Sequence, residues 1–277
     1  MRNGFNGRVV LVALLKRFVI ATQAKRSPEF PSLKGVPENW AEMMALPLIQ
    51  GIAKHDLWQH RDVILRHARP SILVLETPTS DDQIPVGESK FGGFPDLPPD
   101  ISWPRDRDCP IRLEEGFKLT DRFCRFIGQF NLRELQGLQA AKLLPATGLL
   151  SIFCFVDLEN DCANNVGLRL LHIMETEHLR RVVRNSNLTV GNEIMCVIML
   201  SFRDTLVLPE FERRWKDDLN VCDKEQYDEL ENTSRDEKFH SILGYSVSTT
   251  GDNPTAGPEW QHLMIIDRGG RLHLEIP

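Results

Sequence analysis

The chain predicts an α+β domain: a mixed, mostly antiparallel sheet core with peripheral helices and a helical N-terminal preface. Three observations carry this. From Ile72 onward, short apolar runs bounded by Pro, Gly, Asn and Asp recur, as strands closed by turns require. Helical spacing is concentrated before Pro70, with short stretches at 132–142 and 216–238. The composition, 42% hydrophobic and 26% charged over 277 residues, is that of a globular chain able to bury a sizeable core.

Val9 to Ala24 fits a helix, and Pro28, Pro31, Gly35 and Pro37 end it, so residues 1–37 read as an N-terminal helix and linker before a domain over 38–277. Arg2 and Arg8 ahead of the apolar run Val9–Leu15 imitate a secretory leader. Lys16-Arg17 breaks that run far short of the roughly 20 residues a bilayer needs, so no membrane span is expected. Within 38–70, Trp40, Met43, Met44, Leu48, Ile52, Leu57 and Trp58 suggest short helices broken at Pro47 and Gly51. His60 to His67 continues them up to Pro70. Ile72–Leu75 is then a first buried strand.

Residues 89–104 form the most unusual stretch. Gly92 and Gly93 can take positive φ freely, while Pro95, Pro98, Pro99 and Pro104 fix φ and extend their predecessors. Phe91, Phe94, Leu97 and Trp103 sit on that frame, which predicts an ordered loop pinned to a core rather than a flexible linker. Further strands are expected at Phe123–Phe130, Leu149–Val156, Leu168–Met174 and Glu193–Phe202, with a short amphipathic helix at Leu132–Lys142. The acidic span 216–238, with a narrow stripe of Tyr227 and Leu230, reads as a solvated surface helix. Leu263–Ile266 and Leu272–Ile276 flank Gly269-Gly270 as a terminal hairpin.

Four ordered motifs carry a resemblance. Ser89-Lys90-Phe91-Gly92-Gly93-Phe94-Pro95-Asp96-Leu97-Pro98 is followed by Phe126-Ile127-Gly128-Gln129-Phe130-Asn131-Leu132, by Leu144 to Phe153, and by His240-Ser241-Ile242-Leu243-Gly244-Tyr245. Together they resemble the YwqG-like family, a domain of unknown function. The resemblance spans roughly residues 60–270. It implies a soluble α+β domain and transfers no catalytic residues. Asp267-Arg268-Gly269-Gly270-Arg271 only partly matches the family's W-G-D-x-G-like turn.

The charge of −6 disfavours a broad nucleic-acid surface. Six cysteines without a C-x-x-C pair read as reduced thiols, which favours the cytoplasm. The sequence contains no phosphate loop, dinucleotide fingerprint, nucleophile elbow or H-E-x-x-H motif, so no cofactor is expected. His172, Glu175, Glu177 and His178 fall on a strand running into a turn, a poor frame for a metal, and no metal site is assigned. The expected role is binding or adaptor, with a protein or small molecule as partner. The alternative is an enzyme whose cleft forms between 89–104 and the His240 motif. In that case His240 is the acid/base candidate, its imidazole titrating near neutral pH. Gly92, Gly93, Trp103, Gln129 and Tyr245 are the binding candidates, for close backbone approach, stacking and hydrogen bonding.

Overall fold

The computed structural model describes residues 47–108, 121, 123–156, 166–183, 196–209, 224–234, 240–245, 261–267 and 271–276. The expected helix at Val9–Ala24 and the linker that follows it to residue 37 lie outside them. The chain divides into two compact units: one includes Val74–Phe202, and the other joins Leu15–Leu73 with Arg203–Pro277.

In the first unit the sheet neighbours are β1 (Arg69–Pro78), β8 (Ile198–Val207), β2 (Lys90–Phe91), β4 (Arg125–Asn131), β5 (Leu149–Val156) and β6 (Val166–Ile173), in that order. The unit boundaries fall within β1 and β8. A separate two-stranded ribbon pairs β3 (Asp96–Leu97) with β7 (Arg180–Arg181). β5 and β6 pair antiparallel without interruption from Leu149↔Ile173 to Val156↔Val166. β5 reads as a near-continuous apolar run because both of its faces are covered: Leu149, Ser151 and Phe153 on one and Leu150, Ile152 and Cys154 on the other are all buried.

The second unit holds α1 (residues 47–54), α2 (Arg61–His67), α3 (Lys224–Ser234) and the strands β9 (His240–Ile242), β10 (Gln261–Asp267) and β11 (Arg271–Ile276). β9 runs antiparallel to β10, and β10 forms the expected hairpin with β11. Leu48, Ile52, Leu57, Ile64, Tyr227 and Leu230 form its apolar core. The class is therefore α+β dominated by an antiparallel sheet, and no described helix is long and apolar enough to cross a membrane.

Four local expectations need correction. Gly51 does not break the first helix but lies inside it. A Cβ there would come within 2.6 Å of Leu230 Cδ1, so glycine serves close packing of α1 on α3. Leu132–Lys142 is not one helix but two 3₁₀ turns, Leu132–Leu135 and Ala140–Leu143, separated by Gly137 at φ 94°. Asn131 caps the first by accepting the Arg133 N–H. The strand expected at Glu193–Phe202 starts among the described residues at Ile198 and runs past the charged Arg203 to Val207, its in–out alternation over 198–204 giving way to the buried Leu206 and Val207. Finally, α3 is not merely solvated: Tyr227 and Leu230 are fully buried, and the Tyr227 hydroxyl donates to the Pro209 carbonyl at 2.7 Å.

Candidate functional site: an ionic cluster under the β3–β7 ribbon

Register builds the site. Lys90 on β2 lies opposite Gln129 on β4 and Met199 on β8, and Gln129 lies opposite Ser151 on β5, so Lys90, Gln129 and Ser151 share one sheet face. The ribbon is tied to that face by Asp96, whose backbone N–H donates to Gln129 Oε1 at 3.0 Å, and by Leu97, which packs with Phe126, Leu149 and Phe153. Between β2 and β3 the chain reverses through Gly92 and Gly93, both at φ 68°, which a side chain would disfavour.

Lys90, Asp96 and Gln129 are all 0% exposed. Lys90 Nζ donates to Asp81 Oδ1 at 2.7 Å and lies 4.0 Å from Asp96 Oδ1. Arg181 Nε donates to Asp96 Oδ1 at 3.0 Å, and its guanidinium also reaches the carbonyls of Asp81 and Ile84. Gln129 Nε2 donates to Asp96 Oδ2 at 2.7 Å and to the Glu88 carbonyl at 2.8 Å, and the Gly87 N–H donates to Asp96 Oδ2 at 2.9 Å. Two cations thus face two carboxylates, and each group meets a partner. Burial pushes the Lys90 ammonium pKa down, against the upward pull of the Asp81 hydrogen bond and of the Asp96 and Asp81 charges.

Beside the cluster, Glu134 Oε1 accepts the Ser89 N–H at 3.0 Å, while Ser89 Oγ accepts the Asn131 N–H at 2.8 Å. Burial, then the shared hydrogen bond with Glu88, raises the Glu134 carboxyl to about 7. The buried Ser151 hydroxyl has no hydrogen-bond partner among the described residues.

The structure brings three of the sequence-derived candidates together. Gln129 is central, Gly93 packs directly against Asp81, and Gly92 donates its N–H to the Ile127 carbonyl at 2.9 Å. Trp103 sits apart in the apolar cluster: its indole N–H donates to the Cys124 carbonyl at 2.7 Å, and its ring meets Phe153 edge-on at 6.0 Å. His240 and Tyr245 belong to the second unit. His240 is buried at the start of β9. Tyr245 donates its hydroxyl to the His67 carbonyl at 2.7 Å and stacks beneath Arg69, whose guanidinium is 4.3 Å from the ring centre. His172 lies on β6, its ring 3.1 Å from the Thr147 carbonyl.

Sequence reading missed Asp81, Lys90, Asp96, Arg181 and Glu134 as site residues. The one available signal was a lysine and an aspartate embedded in an aromatic, proline-rich stretch, where charge is out of place unless paired.

A search of curated proteins found no match. A family model does match, over residues 89–274, and it takes in Lys90, Asp96, Gln129 and Arg181, while Asp81 precedes it. On that match the chain belongs to the family described as a domain of unknown function, DUF1963.

Proposed function

We propose that this chain is a cytoplasmic binding or adaptor domain, of the YwqG-like kind its motifs resemble, which presents a preformed surface to a small molecule or a protein and not to nucleic acid. The observation that supports this reading is the internal pairing of the ionic cluster. Lys90, Asp81, Asp96 and Arg181 neutralise one another, and Arg181, bonded to the Ile84 carbonyl and to Asp96, fixes the segment from residue 84 to 97, as a scaffold requires, rather than standing ready to move protons. A segment fixed before its ligand arrives loses little entropy on binding.

One observation favours a second reading, an enzyme. A carboxyl titrating at about 7, as that of Glu134 does beside Glu88, suits a general acid or base at neutral pH. A thermal-shift screen of metabolites, peptides and metals, with every stabilising compound then followed by mass spectrometry, separates the two. The binding reading expects a saturable rise in melting temperature with the compound recovered unchanged. Conversion of a compound over many turnovers, abolished in Glu134→Gln, would establish the enzyme instead.

A further inference from the structure

The Asp81 carboxylate is held the way a protein holds a bound anion. One oxygen accepts from Lys90 Nζ at 2.7 Å and lies 3.6 Å from the Arg181 guanidinium, and the other accepts the Phe94 N–H at 3.1 Å. Gly93 closes the wall: a Cβ there would stand 2.7 Å from Asp81 Oδ1, so the left-handed Gly92-Gly93 turn leaves a space shaped to a carboxylate. The donors are built in, with Lys90 completely buried on its strand.

Asp81, in contrast, arrives on a slight support. It opens a three-residue 3₁₀ turn, Asp81–Gln83, that has no side-chain cap, and Ser80, Asp82 and Gln83 around it are exposed. The neighbouring anchors are the Thr79 N–H on the Val197 carbonyl and the buried Ile84. Between them the arm is attached to the ionic cluster through the Asp81 carboxylate and through its carbonyl, which Arg181 contacts, and the Thr79 hydroxyl donates to the exposed Gln83 side chain at 2.9 Å. The nest lies within the family-matched stretch and its occupant outside it.

We infer that Lys90 Nζ, the Phe94 N–H and Arg181 form a recognition site for a monoanionic carboxylate, in which Asp81 is an internal, displaceable occupant. The inference deepens the binding reading and rests on it for its biological use. Charge fixes the ligand class: without Asp81, two cations face the single carboxylate of Asp96, so one negative charge restores neutrality, whereas a phosphate dianion leaves an excess charge in a buried site. Geometry selects further, since the two donors address two different oxygens of one planar group, which chloride cannot reproduce. In the intact chain Asp81 competes at the high effective concentration of a tethered group.

The test is rescue. Asp81→Ala should melt well below wild type, and formate or acetate should raise its melting temperature saturably towards the wild-type value. Chloride and phosphate at matched ionic strength should give no saturable gain. Equal rescue by all four salts, or by none, overturns the inference. If the variant does not refold in any salt, hydrogen exchange on the wild-type protein decides. Excess formate should then speed exchange at residues 80–83 while β2 and β4 stay protected, and unchanged exchange there overturns it. Either failure leaves the compound screen standing, because that screen does not depend on this nest.

Discussion

Beneath the β3–β7 ribbon, Lys90, Asp96 and Gln129 are wholly buried, and each meets a partner of matching polarity. Around α3 in the second unit, Ile52, Ile64, Tyr227 and Leu230 are equally buried against apolar neighbours. The two regions respond to damage through different physics. In the ionic cluster, removing one partner strands the others in a poorly solvated site, so loss follows the desolvation of what remains. In the apolar core, loss follows the volume removed and how far the surroundings collapse into it. Equal burial therefore does not mean equal sensitivity to the same kind of substitution.

The sharpest way to break this contrast is Asp96→Ala. It leaves Lys90 and Arg181 short of a counter-charge, takes from Gln129 Nε2 one of its two acceptors and unpairs the Gly87 N–H, at a cost of about 3–5 kcal/mol in urea unfolding. A loss under about 1 kcal/mol would mean that water reaches the cluster and that it is not truly buried. Ile52→Ala tests the other side. With comparable burial and no polar partner, it should cost about 2–4 kcal/mol, and the loss should be independent of salt.

Glu134 sharpens the comparison through pH. Its folded pKa, about 7, lies above the ordinary 4.5, so the native state holds a proton that the unfolded chain releases. The stability this carboxyl contributes is complete below about pH 4.5 and is lost as pH rises to about 7. Partial exposure limits the effect to about 1–2 kcal/mol. Glu134→Gln keeps an acceptor for the Ser89 N–H and should flatten that decline, leaving the variant more stable than wild type at pH 8. An unchanged slope between pH 4.5 and 7 would count against the Glu88–Glu134 shared proton. The smallest effect expected is for Tyr227→Phe, which removes one hydrogen bond to the Pro209 carbonyl and should cost about 1 kcal/mol with the helix content unchanged.

Much of the sheet was legible in sequence because strands announce themselves locally. Leu149–Val156 is apolar but for Ser151, and apolar runs flank Gly269-Gly270 on both sides as in a hairpin. The candidate site was legible only at Gln129 and the two glycines, where an amide or a bare backbone stands out among aromatics. Lys90 and Asp96 lay in the same conspicuous stretch, but their importance depends on partners. Nothing in the sequence says that Lys90 faces Gln129, or that a two-residue strand carrying Arg181 lies beside Asp96. The misread helices have a similar cause. Leucine spacing suggested one at 132–142, but Gly137 at positive φ divides it. Gly51 suggested a break, but close packing against Leu230 required it.

Arg181 stands 85 residues from Asp96 and 100 from the Asp81 carbonyl it contacts. Closing so long a loop costs entropy that nearby pairings do not bear, so this clasp is among the last contacts made as the chain folds and among the first broken as it opens. Its influence then falls on lifetime rather than on speed of assembly: in a chevron, Arg181→Ala should lift the unfolding limb and leave the folding limb nearly in place. A slowed folding limb would instead put the clasp in the nucleus. On the expected outcome, the guanidinium acts as a brake on escape from the native state, and the protein's resistance to proteolysis under conditions of slow reclosing is set by one side chain on a two-residue strand.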